Sequence, residues 1–352
     1  MGEPSARRAA AGTRVAGVRN LKPGWFAAVM ATGIVSRAVT GAGWAWGGDV
    51  LLVIGLVAFA VLTVATLLRL AFFPAEALAD ARNPAVGFTY LTFVAGSAVL
   101  AAGLAKHDRA TPALVLLGIA AAAWLLLCYA IPAALMVHHA PDEAVTGADG
   151  TWFLWVVGTQ SLAVAATLLP QPWGHRFAVP ALLCWSVGVV LYLGVAALVL
   201  GTLFGGALTA AKLVPAYWVF MGATAISVLA GAQVLEDGPD RLVTEVRPFV
   251  AGAALALWAF GSWLIPLLLA AGVWRHLVRH FAVAYEPGLW SIVFPIGMYG
   301  VGTAELGRVL GAHWMVTFGH AEAWVALGAW LATAAALVVT LLRRRRRPAA
   351  ET

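Results

Sequence analysis

Three charged side chains, Arg37, Glu305 and Arg308, fall inside or at the end of apolar stretches long enough to cross a bilayer. A charge at bilayer centre costs at least about 2.5–3.5 kcal/mol, so such residues face a cavity or a partner. Two guanidiniums at one mouth would attract anions through charge and forked hydrogen bonding. Glu305 and Arg308 are three apart and can neutralise each other on a helix. Arg37 has no acid near it in sequence, which makes it the better candidate for holding an anion.

A second set of side chains is uncharged: Thr32, Ser36, Thr159, Gln160, Ser161 and Thr224. An anion losing its hydration needs donors, and uncharged donors hold it weakly enough to let it leave. The same hydroxyls can instead bond their own helix or a neighbouring one, and both readings stand. Gln160 is the stronger candidate, because an amide costs more to bury unpaired than a hydroxyl.

The elements that position these residues follow from composition. Of the 352 residues, 62% are hydrophobic and 11% charged, against about 25% charged in soluble domains. Such a chain reads as a polytopic membrane protein. Its net charge of +6 sits in tails and loops, where it orients the chain, so nucleic acid is not an expected partner. Cys128 and Cys184 lie in apolar spans and suggest neither a disulfide nor a metal cluster. No phosphate-binding glycine loop, HExxH pair or nucleophile elbow is present, so neither an ATPase nor another enzyme is expected, and no cofactor or metal. His276 and His280, four apart beside Glu286, could share a helical face; a basic amphipathic segment on anionic lipid explains them better than a metal site. His138 and His139, beside Asp142 and Glu143, read as a solvated loop.

Spans of roughly 20 mainly apolar residues can be drawn ten times, at 23–41, 50–72, 84–105, 112–137, 151–170, 177–204, 214–235, 247–273, 288–310 and 320–342. Short loops predict antiparallel hairpins. The expected organisation is a disordered basic tail (1–21), one transport domain (22–342) and a basic C-terminal tail (343–352). Fifteen Lys and Arg fall on one side of these spans and six on the other, which puts both tails in the cytoplasm of a bacterial inner membrane.

The ninth span, GLWSIVFPIGMYGVGTAELGRVL from Gly288 to Leu310, is the most informative. Pro295 inside it predicts a bend near Phe294. Broken or glycine-rich backbone at membrane depth belongs where it is packed in protein or lines a water-filled path. A phenyl ring at such a bend can close a narrow pore; the alternative is one more packed aromatic. Odd-numbered spans also share glycines at Gly33, Gly96, Gly158, Gly222 and Gly297, separated by 63, 62, 64 and 75 residues. This repetition predicts five consecutive hairpins, odd helices inside and even helices facing lipid. One glycine alone would suggest close packing; five at near-regular spacing suggest a pore lining.

The segments PGWFAAVMATGIVS, WVVGTQSLAV and WSIVFPIGMY resemble signatures of the tellurite-resistance/dicarboxylate transporter family, which includes fungal malate permeases and plant slow anion channels. The resemblance covers about 22 to 342. It implies five helical hairpins in quasi-five-fold arrangement around a central pore, assembly as a homotrimer, and occlusion by a phenylalanine matching Phe294. The expected function is therefore passage of small anions, C4-dicarboxylates such as malate or oxyanions such as tellurite. A proton-coupled exporter using Glu305 and Arg37 is the first alternative; a membrane scaffold or sensor without transport is the second.

Overall fold

At membrane depth no water is available, so backbone N–H and C=O groups must pair within their own segment. The computed structural model describes residues 17–139, 146–171, 173–205, 209–236, 240–282 and 284–346, and among these every regular element is helical. Residues 1–16 and 347–352 of the expected tails, and Asp142 and Glu143, lie outside the described residues.

The helices are α1 (Ala27–Gly41), α2 (Ala45–Phe72), α3 (Pro74–Ala81), α4 (Leu91–Lys106), α5 (Ala110–His138) and α6 (Phe153–Thr167). They continue as α7 (Trp173–Gly205), α8 (Trp218–Glu236), α9 (Arg241–Val273), α10 (Trp290–Leu310) and α11 (His313–Arg346). Seven of the described helical segments are long and apolar enough to cross a membrane, and the chain is a multi-pass membrane protein. The expected spans over α1, α6 and α10 fall outside that set. α1 and α6 have 15 residues each, about 22 Å of rise against a hydrocarbon core of about 30 Å. α10 is diluted by Glu305, Arg308 and its glycines. A helix walled off from lipid by its neighbours need not meet the length and apolarity that lipid contact demands.

Burial separates two layers. The apolar windows of the segments holding α4 and α8 are 72% and 94% buried, whereas those of α2, α5, α7, α9 and α11 are 6–28% buried. Among the buried helices α1 packs on α4, α4 on α6, α6 on α8 and α8 on α10, and α10 returns to α1. Each is entered through a single 3-10 turn: Pro23–Phe26, Gly87–Tyr90, Gly150–Trp152, Pro215–Tyr217 and Pro287–Leu289. These turns touch one another in the same cyclic order. All five inner helices therefore start at one end of the bundle and run parallel. α2, α5, α7, α9 and α11 pack respectively on α1, α4, α6, α8 and α10.

Indole N–H groups join the layers. Trp124 on α5 donates to Thr159 Oγ1 on α6, Trp258 on α9 to Thr303 Oγ1 on α10, and Trp330 on α11 to Thr32 Oγ1 on α1, each at 2.9 Å. Trp185 on α7 donates to the Ser227 carbonyl on α8, also at 2.9 Å. Each bond runs from the outer helix of one pair to the inner helix of the next. Near the start of the bundle, buried Asp80 accepts from Lys22 Nζ and Arg69 Nη2, both at 2.7 Å, which ties α2 and α3 to the entry of α1.

Two further sequence expectations meet the structure here. Pro295 lies within a continuous α10, leaving the Ser291 carbonyl without its usual donor four residues on. His276 and His280 do not share a helical face: α9 ends in a π turn at Trp274–Val278, and His280 takes a left-handed φ of 51°.

The turn ring gives a direct test. Asp149 caps the turn into α6, accepting from Thr151 N and Oγ1 at 2.8 and 2.6 Å; burial pushes its carboxyl pKa up against those bonds. Beside it, a Cβ on Gly150 would lie 2.2 Å from the Ala216 carbonyl oxygen, whereas one on Gly201 of α7 meets nothing within 4 Å. Gly150→Ala should lower stability by about 1–3 kcal/mol through overpacking against backbone. Gly201→Ala should be neutral or gain up to about 1 kcal/mol from helix propensity. Thermal melts of the two purified variants in one detergent decide this; equal midpoints would remove the turn ring as a constraint.

Candidate functional site

At the end where the inner helices finish, three of them bring charges together. Arg37 near the end of α1 donates through Nη2 to Glu305 Oε1 on α10 at 3.0 Å, with side-chain exposures of 8% and 10%. Arg308 donates from one turn further along α10 to Glu305 Oε2. Gln233 on α8, in the amide orientation that satisfies its surroundings, accepts from Arg37 Nη1 and Nη2 at 3.2 and 2.6 Å. Arg37 Nε is buried and has no partner. Arg308 Nη2 also lies 3.3 Å from His320 Nε2 on α11. The carboxylate is thus held between two guanidiniums from different helices, and Arg37, which lacks an acid in sequence, acquires one in space.

Two small cavities flank Arg37. One, of about 30 Å³, is bounded by Arg37, Lys106, Glu305, Arg308 and His320. The other, of about 40 Å³, has Arg37, Lys106 and His107 at its rim. Its apolar wall takes Ile34 from α1, Val99 from α4, Val164 from α6, Ile226 and Leu229 from α8, and Met298 from α10. All five inner helices contribute and Leu52 of the outer helix α2 borders it on one side, so this cavity reaches the axis of the ring. Phe294, 1% exposed, stands four residues before Met298. One helical turn keeps it on the same face as Met298, about 6 Å nearer the start of the bundle.

The uncharged candidates are directed otherwise. Thr32 donates to the Ala28 carbonyl at 2.7 Å while accepting from Trp330. Thr159 donates to the Trp155 carbonyl at 2.9 Å while accepting from Trp124. Their hydroxyls meet outer helices. Thr224 donates to the Met221 carbonyl, and its Oγ1 fills the space over Gly261 of α9. Gln160 donates from Nε2 to the Trp185 carbonyl on α7 and crosses Gly188, with its Oε1 buried and unpartnered. Ser36 donates to the Gly48 carbonyl of α2 and Ser161 to the Val157 carbonyl, and both border the axial cavity.

The repeated glycines sit where inner helices meet. A Cβ on Gly33 would come within 2.5 Å of Val99, one on Gly222 within 2.7 Å of Pro295, and one on Gly297 within 3.1 Å of Ile34. Gly158 faces Leu91 at 3.3 Å, and Gly96 faces Val29 at 3.4 Å. Gly33 also borders the axial cavity.

Lys106 and Gln233 went unremarked as site residues in the sequence. The signal for both is position: each lies in the last two turns of an inner helix, at the level of Arg37 and Glu305. Among the described residues no three His, Cys, Asp or Glu side chains converge in a way that could hold a metal.

Residues 20–338 match the family described as voltage-dependent anion channel. An uncharacterized membrane protein of Mycobacterium tuberculosis is 49% identical over 152 residues, 42% of this chain and 75% of that protein. Two uncharacterized transporters of Methanocaldococcus jannaschii extend the similarity. One is 25% identical over 295 residues, covering 80% of this chain and 82% of its own length. The other is 21% identical over 329 residues, covering 90% and 93%.

The charge network predicts an asymmetry. Glu305→Gln leaves the buried Arg37 without its counter-charge and should cost about 3–5 kcal/mol. Arg37→Met leaves Glu305 still paired with Arg308 and should cost less, about 1–3 kcal/mol. The double variant should be milder than the sum of the singles by more than about 0.5 kcal/mol. Tryptophan-monitored unfolding of all four proteins measures this, and simple additivity would dissolve the network.

Proposed function

The chain belongs to the voltage-dependent anion channel family, and from that premise we propose that it passes small anions across the membrane along the axis of the five-helix ring, with Phe294 and Pro295 as its gate. The observation that carries this reading is the axial cavity, walled by all five inner helices, rimmed by Arg37 and Lys106, and followed one turn deeper by Phe294. A positively rimmed mouth concentrates anions. A phenyl ring across a narrow apolar passage denies an anion its water and holds the passage shut.

In this reading the five helix pairs are hairpins in quasi-five-fold arrangement around one pore per protomer, in a homotrimer of the bacterial inner membrane with both tails cytoplasmic. The passing species are oxyanions or C4-dicarboxylates. The close glycine contacts let five helices approach the axis, and Gly33, Ser36 and Ser161 border the path. Arg37 and Arg308 supply the attracting charge. Thr32, Thr159, Thr224 and Gln160 hold the lining helices to the outer layer, which is the packing alternative for those residues. A second reading, a proton-coupled exporter, is favoured by one observation: Glu305 lies buried between two arginines, where adding a proton would free both.

Currents from purified protein in planar bilayers separate these. Phe294→Ala should raise anion conductance about tenfold with no pH gradient applied. Unchanged conductance would sink the gate, and currents that appear only with a proton gradient would favour the exporter.

A further inference from the structure

The near-regular glycine spacing of 62–64 residues fails once: Gly222 to Gly297 is 75 residues. The surplus falls on α9, which with its π turn makes the longest apolar segment, Arg241–Val278, and on the chain from Arg279 to Glu286. Described residues of both stretches form one wall of a groove. Between that wall, the last turns of α7 and the start of α8 lies an apolar groove of about 1050 Å³. That is at the top of the roughly 300–1,000 Å³ range of ligand pockets.

The groove opens between outer helices at the end where inner helices start, and its α9 side runs from Phe260 to Arg275. Fifteen residues of helix rise about 22 Å, more than the half-thickness of a hydrocarbon core of about 30 Å. Its depth therefore suits the acyl chains of one leaflet. Leu203, Phe204, Trp263 and Leu267 line it, with Trp218 of inner helix α8 at its base.

Its head end is basic. Arg275 is 7% exposed and lines the groove; it donates from Nη1 to the Leu213 carbonyl and stacks on Phe281, with its carbon Cζ 4.3 Å from the ring centroid. Its Nε–H is buried without a partner. His276 shares the rim, its Nδ1 2.9 Å from the Phe281 carbonyl, and Arg279 stacks over Trp274 nearby. Glu286 is the single acid among the described lining residues. A buried cation with an unused donor, at the headgroup end of a leaflet-deep apolar groove, matches an anionic phospholipid.

We propose that this groove is a specific site for one anionic phospholipid, acyl chains along α9 and phosphate on Arg275 with His276 and Arg279 at the rim. The site touches the ring at Trp218 and Phe220 of α8 and at Ile292 of α10.

The test is native mass spectrometry of the full chain released from nanodiscs of phosphatidylcholine mixed with phosphatidylglycerol. Phosphatidylglycerol should be retained in preference to phosphatidylcholine. Gly272 lines the groove and a Cβ there meets nothing within 4 Å, so Gly272→Phe places a ring at the groove wall and should weaken that retention at least about fivefold. Arg279→Gln, which leaves the Arg275–Leu213 tie intact, should weaken it about fivefold, the worth of one basic residue near a membrane surface. Equal retention of the two lipids would overturn the proposal, as would phosphatidylglycerol retention unaffected by Gly272→Phe. Displacement of the lipid by glycerol 3-phosphate alone would overturn the acyl groove in favour of a free phosphate site. Loss of oligomer mass in Gly272→Phe with lipid retention unchanged would make the groove an interface between copies and overturn it too.

Discussion

A buried indole N–H must find an acceptor, and in a bilayer no water is there to supply one. Four of the five junctions between an outer helix and the next inner helix are built on that requirement, through Trp124, Trp185, Trp258 and Trp330. The fifth, between α2 and α4, has no such indole bond among the described residues; Asp49 of α2 meets His107, just past the end of α4, at 3.3 Å. There Leu52 covers Gly103 and Leu100 covers Gly55, each side chain using the space left by a missing Cβ. Hydrocarbon gives helices no reason to prefer each other over lipid, so directional bonds and close glycine contacts must provide it. The inner ring depends on this stitching, because α1 and α6 are too short to stand alone in a membrane.

The same stitching accounts for what could and could not be read from the chain. Apolar runs, inner–outer alternation and the family were legible, since the exposed helices α2 and α5 are largely apolar and the glycines of the buried helices recur. The direction in which a threonine points was not. Thr32 and Thr159 sit at mid-depth on buried helices, as a pore donor would, and only the partner tryptophans 298 and 35 residues away reveal that they face outward. Arg37 shows the converse. Its acid lies 268 residues away, so the pairing belongs to ring closure between α1 and α10, which no local pattern encodes.

Ring closure also concentrates charge. Five parallel helices end at one face, and each terminus carries roughly half a negative charge from its unpaired carbonyls. Arg37, Lys106 and Arg308 sit in that field, which favours them there and offsets part of the cost of burying a guanidinium. Glu305 works against the same field and is retained by two arginines at once. The side-chain cations of the rim therefore stand above a negative collar of backbone, and in the proposed reading an anion there would be held by few, competing contacts and could leave again.

The position of Pro295 bears on how such a path could open. Its ring lies against Gly222 so closely that a Cβ there would fall 2.7 Å from Pro295 Cγ. α8 and α10 are thus in backbone-level contact at the level of Phe294, and α10 has no room to tilt toward α8. On its other side Gly297 meets Ile34 of α1. A helix pinned on both flanks within a turn of the proposed gate cannot carry that gate by moving as a rod. In the proposed gate, rotation of the Phe294 side chain about χ1 would be the smaller change, since it leaves the glycine contacts of α10 in place. Close packing at the glycines would then leave the side chain rather than the helix to move in the proposed gate.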